Sequence, residues 1–348
     1  MNLITLNNNK NLIINKERNI GIEILRMILC FRIVLLHYYA SNNKYILSLI
    51  NNRYQVSCFF FISFYFLYPT IKDLKSEKIK TRLDRLLIPY INYPIMIWII
   101  NNLLFLILKN NRFNRFLSLT ELKTNLIVGR GIYGIGILWF HFNLLIFTLL
   151  FYISRSFLKN TFLSVFQFTA LLSYILQYSG KNYNFFNKYK STISMSVGNL
   201  IETLPLAIGA FSISSFNFFQ FISNNMKKYK IFSFYFLYLI FKYNVFSYLD
   251  GNSSPGIKKF CISFILFTNF YIFHFKKIHS NILVIIRHLT KYTQGIYCLH
   301  FLIMHYFKKI FDKNGTFIGC ISLYIISYLI SFFGFKAFKN SKLKYLFC

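Results

Sequence analysis

Four ionisable side chains lie inside one apolar stretch, Asn19 to Ala40, which reads NIGIEILRMILCFRIVLLHYYA: Glu23, Arg26, Arg32 and His37. A charge at membrane depth costs about 2.5–3.5 kcal/mol on insertion scales, so ionisable groups inside a span mark functional sites by default. An imidazole there offers general acid–base chemistry, because its ordinary pKa lies near neutral pH. Arg26 and His37 are eleven residues apart, which at about 100° per residue returns to within roughly 20° of the same helix face. The corresponding rise is about 16 Å, roughly half the hydrocarbon thickness. One face of a helix here presents an arginine toward one membrane surface and a histidine toward the other. Glu23, three residues before Arg26, can pair with it and reduce its burial cost. Arg32 lies about 120° off that face and is not explained by the same geometry. The plainer alternative makes Arg26 a snorkelling side chain and His37 an interfacial one.

Further groups occur down the chain. Arg82 and Arg85 are three residues apart, share a helix face and can fork onto one anionic group, although a basic interfacial helix commonly just meets anionic lipid. Trp139-Phe140-His141 opens an apolar run, where an aromatic-belt anchor is the default meaning of the tryptophan. Gly295 to His300, GIYCLH, places a histidine within a span, with a hydrogen-bonded structural histidine as the rival. Glu202 needs no more than a basic neighbour. The segment GRGIYGIG, 129–136, follows no strand and carries no dinucleotide meaning. Cysteines 30, 58, 261, 298, 320 and 348 show no CxxC and no Cys/His ligand spacing, so they read as small buried residues and no metal is expected.

The elements that must position these groups are membrane helices. The 348 residues are 55% hydrophobic and 21% aromatic, with mean hydropathy +0.46, and long apolar runs recur throughout, which excludes an ordinary soluble domain. The net charge of +31 sits mostly between apolar runs, where the positive-inside rule accounts for it. No compact basic domain exists to bind nucleic acid. The expected fold is all-α, a polytopic bundle of about ten transmembrane helices, near 20–39, 54–71, 88–108, 137–153, 161–178, 200–222, 231–249, 260–275, 293–307 and 316–335. Residues 72–86 suit an interfacial helix before the third span. Residues 109–136 form the longest polar connection, and the basic stretch 276–293 leads into the ninth span. Residues 1–18 form a cytoplasmic lead, 19–336 a single transmembrane domain and 337–348 a basic cytoplasmic tail. No cleavable signal, internal repeat or separate soluble domain is evident. Ten spans put both termini on one side, and the excess of Lys and Arg makes that side cytoplasmic, the basic 109–136 segment running against the trend.

Taken in order, these stretches resemble the acyltransferase 3 family, multispan membrane O-acyltransferases acting on bacterial envelope glycans. Glu23-Ile24-Leu25-Arg26 with His37 matches the family's acidic residue, Leu-Arg and a histidine eleven residues on. Arg82 to Pro89 matches Arg-x-x-Arg-x-x-x-Pro, Leu138-Trp139-Phe140 matches Leu-Trp-Phe, Leu204-Pro205 with Gly209 matches Leu-Pro and a later glycine, and Gly295 to His300 matches Gly-Ile-Tyr-x-x-His. The resemblance covers essentially the whole chain. It implies transfer of an acyl group, acetyl in the usual case, from cytoplasmic acyl-CoA to a hydroxyl of an envelope polysaccharide or its lipid-linked precursor, in the bacterial inner membrane. It assigns catalysis to His37, Arg26 and Glu23, with His37 as base toward the acceptor or transient acyl carrier and Arg26 orienting the donor. Arg82 and Arg85 would hold the donor's phosphates, and His300 and Trp139 would line the pocket. The expected partners are acyl-CoA, the glycan acceptor and membrane lipid, with no metal and no nucleic acid. An exporter of the same glycans without acyl transfer is the alternative, and a sensor or assembly partner of an envelope complex a more distant one. His141, Glu202 and Arg32 depart from the family's pattern.

Overall fold

The computed structural model describes residues 19–39, 54–108, 117–128, 138–179, 195–216, 255–272, 280–310 and 316–348. The chain is all-α there, without a strand among the described residues. Helix α1 (Ile20–Tyr39) begins at Asn19, whose Oδ1 accepts from the Ile22 amide at 3.2 Å and whose Nδ2 donates to the Tyr271 carbonyl at 2.8 Å. One asparagine therefore caps the helix and ties its entry to α8 (Pro255–Ile272), which itself starts with proline at its first helical position. The other helices are α2 (Tyr54–Lys72), α3 (Ser76–Leu108), α4 (Leu119–Val128), α5 (Leu138–Leu158), α6 (Phe162–Ser179), α7 (Met195–Ser215), α9 (Ser280–Lys291), α10 (Thr293–Ile310) and α11 (Phe317–Ala337). The expected span at 231–249 and the segment GRGIYGIG lie outside the described residues.

Three stretches, 76–107, 139–169 and 317–337, are long and apolar enough to cross a membrane. Their outward side chains agree: Ile107, Phe157, Phe168, Ile318 and Phe333 are all more than half exposed, the inverse of a soluble surface. Relative helix directions can be read from ring contacts. Phe60 meets Trp139 while Phe64 meets Phe147 and Phe151, so α2 and α5 run parallel. Phe61 meets Phe260 and Tyr65 meets Tyr271, so α2 and α8 run parallel. Arg82 meets Thr148 and Tyr90 meets Phe142, so α3 and α5 are antiparallel. An alternating ten-span order requires each of these directions. The aromatic core between these helices includes Phe60, Phe61, Phe64, Phe151, Phe211 and Phe267, and its pairs are mostly edge-on or tilted.

Helix α3 differs from expectation. The interfacial segment and the third span are one helix of 33 residues, running through Pro89 and Pro94, about 50 Å long. Proline at 89 frees the Arg85 carbonyl four residues back. The Gln294 side chain of α10 donates to that carbonyl at 2.9 Å, so the helix continues without a stranded acceptor there. The polar connection 109–136 likewise contains α4. Ser118 and Glu121 form a reciprocal capping box at its start (3.1 and 3.2 Å), and the Asn102 amide makes two bonds to the backbone of Leu117.

The chain leaves α2 through a Schellman turn: the Lys75 amide donates to Thr70 O and the Leu74 amide to Ile71 O, each at 3.1 Å. Leu74 occupies the left-handed position, φ 48°, where glycine is usual. The Asp73 carboxylate beside it is held below its ordinary range by its bond to Lys75.

Of the expected basic tail, 337–348, residues 339–348 fold back onto the bundle. A short 3-10 turn, Lys342–Leu346, lies on α3, α10 and α11. Leu346, Phe347 and Cys348 are buried. Tyr93 donates to the Leu346 carbonyl, the Phe347 ring stacks on Phe338 at 5.8 Å, and Lys342 pairs with Asp84 at 2.8 Å. That pairing raises the Lys342 pKa.

Candidate active site

Arg26 and His37 of α1 are placed by its packing against α10. Arg26 reaches Thr293 Oγ1 through Nη2 at 3.3 Å, and its Nη1 lies 3.6 Å from Glu23 Oε1. The Thr293 hydroxyl donates its own proton to the Thr290 carbonyl at 2.9 Å, which turns a lone pair to the guanidinium. Glu23 is buried, and its second carboxylate oxygen is without a hydrogen-bond partner among the described residues. Cys30, one turn beyond Arg26, donates to the Thr293 carbonyl at 3.5 Å. Farther along, the His37 ring centre is 5.4 Å from that of His300 and 5.3 Å from that of Phe301. Contacts therefore advance together on both helices, Arg26 with Thr293 and His37 with His300, so α1 and α10 run parallel. The shared face of Arg26 and His37 turns toward a neighbouring helix, with both residues half-buried.

His300 is fully buried. Its Nδ1 lies 3.1 Å from the Ile296 carbonyl. A carbonyl can only accept, so Nδ1 carries the proton and Nε2 is a lone pair, with no partner among the described residues. One turn earlier on the same face, Tyr297 lies between two histidines, its ring centre 6.1 Å from His300 and 6.0 Å from His141 of α5. His141 is also fully buried. Its Nε2 is 3.8 Å from the Cys298 sulfur and its Nδ1 has no partner among the described residues. The layer thus holds three imidazoles, a phenol and a thiol in an otherwise aromatic and aliphatic interior. Buried imidazole nitrogens without partners each cost about 1–3 kcal/mol, an expense that functional sites commonly carry.

The arginine pair of α3 is divided. Arg82 turns inward: Nη2 donates to Ser63 Oγ at 2.7 Å and Nε to Thr148 Oγ1 at 3.2 Å, bridging α2 and α5. Arg85 is exposed beside the docked tail. Burial raises the Cys348 thiol there, while Arg85, Lys291 and Lys344 pull it back down. Trp139 packs on Phe60 at 5.6 Å, in the aromatic core around α2. Arg32 is half-buried, and the Glu202 side chain lies outside the described residues.

Sequence reasoning left Thr293, Tyr297 and Cys298 without roles. A signal existed for the first two: Thr293, Tyr297 and His300 fall at i, i+4 and i+7, one face of one helix. For His141 and Cys298 no local signal exists, since they lie 157 residues apart. Comparison with known proteins bears on the whole arrangement. The acyltransferase domain model of the acyltransferase 3 family matches residues 19–335. No curated protein and no solved structure matches the chain. The matched region contains both parallel helices, the arginine and histidine of α1 and the histidine of α10; with nearly its full length covered, the chain belongs to the acyltransferase 3 family of membrane acyltransferases.

Proposed function

We propose that this protein moves an acyl group, acetyl in the usual case, from cytoplasmic acyl-CoA to a hydroxyl of a cell-envelope polysaccharide or its lipid-linked precursor, with both termini in the cytoplasm of a bacterial cell. The observation that carries the reading is the α1–α10 seam. It holds a guanidinium fixed between Glu23 and Thr293 at one depth and the His37–His300 pair at another. Transfer across a membrane needs two such stations, a cation for the donor end and a base for the acceptor. In this scheme Arg26 orients the thioester, with Glu23 holding Arg26. Arg85, exposed in the N-terminal third of α3, and Arg82 meet the donor's phosphates, Arg85 having the freer access. His37 takes the acceptor's proton as its oxygen attacks the thioester carbonyl. The carbon–sulfur bond then breaks and the CoA thiolate is protonated as it leaves. His300, with Nδ1–H fixed by Ile296, offers His37 a neighbouring lone pair rather than a competing cation. Trp139, in the aromatic packing, shapes the wall rather than touching the acyl group.

The test is acyl-CoA turnover by the purified full chain, with mass analysis of envelope polysaccharide from cells with and without it. His37→Ala should insert and remain folded, yet lose acylation of the glycan. Retained acylation in that variant would overturn the assignment of the base. A wild-type protein that leaves acyl-CoA untouched would favour the exporter alternative.

A further inference from the structure

We propose that Cys298 carries the acyl group between donor and acceptor as a thioester, with His141 as its base. This rests on the acyl-transfer reading above and adds an intermediate to it. Three observations converge. First, the Cys298 sulfur lies 3.8 Å from His141 Nε2, both residues being buried, which is the thiol–imidazole pairing that covalent acyl transfer uses. Second, His141 Nδ1 and His300 Nε2 are both buried and without a hydrogen-bond partner among the described residues, on either side of Tyr297. Two orphaned imidazole nitrogens in one layer leave a donor and an acceptor for a bound polar group, such as an acyl carbonyl or a sugar hydroxyl. Third, Cys298 has the right height. On α10 it lies five residues beyond Thr293, about 7.5 Å along the axis, and two before His300, about 3 Å. Thr293 marks the level of the Arg26 guanidinium and His300 that of His37, so along the helix axis the thiol falls between the levels of the donor and acceptor stations.

The chemistry balances without a further reactant. His141 Nε2 takes the thiol proton and the Cys298 sulfur attacks the thioester carbonyl. The bond to the CoA sulfur breaks, and the CoA thiolate leaves with the proton from His141. One thioester replaces another. His37 then removes the proton of the acceptor hydroxyl, whose oxygen attacks the Cys298 thioester. The carbon–sulfur bond breaks, an oxygen ester forms, and the proton returns to the cysteine sulfur. A carrier between the two levels removes the need for a cytoplasmic thioester and an acceptor on the far side to meet at one point.

The experiment uses the full chain in nanodiscs with radiolabelled acetyl-CoA and no acceptor, quenched in acid and mapped by peptide mass analysis. The expected result is a hydroxylamine-labile acetyl group on Cys298. His37→Ala should keep that label and fail to pass it to envelope polysaccharide. Cys298→Ala should lose the label, with transfer reduced about 100-fold or more, and His141→Gln should slow labelling by about 10- to 100-fold. Cys298→Ala that transfers acetyl at the wild-type rate, or a label found on another residue, would overturn the carrier while leaving acyl transfer intact. A wild-type chain that neither labels nor transfers from acetyl-CoA would overturn both. Should Cys298→Ala not fold, the peptide map of the wild-type protein decides by itself.

Discussion

Replacing Gly295 with alanine tests whether the docked tail is as tightly seated as its contacts indicate. A Cβ at this position would stand 2.5 Å from the Phe347 carbonyl oxygen and 2.6 Å from Ser331 Oγ. Ordinary carbon–oxygen contacts are about 3.4 Å, so the tail backbone must retreat by roughly 0.9 Å from α10. A backbone carbonyl cannot swing aside as a side-chain tip does, and Phe347 is also held by its stack on Phe338. Overpacking of this kind costs about 1–3 kcal/mol, an increase of about 5- to 150-fold in the undocked population. Cys348 reports it directly. In the docked tail the thiol is buried and its pKa is raised by that burial; released, it becomes an ordinary exposed cysteine. Mass-resolved maleimide labelling at Cys348 should therefore accelerate by that factor in Gly295→Ala. In a chain cut after Phe338 only the Ser331 clash survives, so adding Ser331→Ala to Gly295→Ala should restore thermal stability in that background. An unchanged labelling rate in the full-length variant would refute the reasoning, because it would mean that α10 and the tail are not in contact at Gly295.

Thr293→Val keeps the shape of the side chain and removes the acceptor of Arg26. The expected outcome is an increase of about tenfold in the KM for acyl-CoA with kcat less affected, measured by turnover, and near-normal behaviour for Thr293→Ser. Leu74→Gly relieves a left-handed backbone at an exposed Schellman position and should stabilise the protein by about 1 kcal/mol, read as a higher thermal midpoint in detergent. Gln294→Leu strands the Arg85 carbonyl freed by Pro89. A loss of about 0.5–1.5 kcal/mol is expected for this exposed bond, and Pro89→Ala in the same chain should recover most of it by restoring the backbone donor.

Local signals carried the sequence reading where geometry is periodic, and failed where a partner lies far along the chain. The shared face of Arg26 and His37 follows from eleven residues being close to three helical turns, and in the fold that face does meet α10. The start of α1 at Asn19 and of α8 at Pro255 follows ordinary capping preference. By contrast, the acceptor that Pro89 frees within α3 is met by Gln294, two hundred residues away. The tail reads as a basic end because its lysines dominate the count, but its last three residues, Leu346-Phe347-Cys348, are apolar and are buried against the bundle. Helix α4 has a local signal, since Ser118-Leu119-Thr120-Glu121 is a capping box, but it lies inside a stretch whose overall polarity reads as a connection.

The direction taken by the Arg26 side chain separates the functional account from the plainer one. A snorkelling arginine near the start of a membrane helix would carry its guanidinium outward to the nearest headgroups. Here Thr293 is contacted both by Arg26 and by Cys30, one turn deeper, so it lies between those two levels. The spacing of the paired contacts agrees. Arg26 and His37 are about 16 Å apart along α1, whereas Thr293 and His300 are only about 10 Å apart along α10. With the histidines level, Thr293 stands above the Arg26 backbone toward the middle of the bundle, and the guanidinium has to reach inward to meet it. A buried carboxylate, Glu23, holds it from the other side. Inward reach turns the charge toward Thr293 and the α1–α10 seam. An anionic or strongly polarised ligand drawn to Arg26 is thereby drawn into the bundle, which membrane anchoring alone would not require.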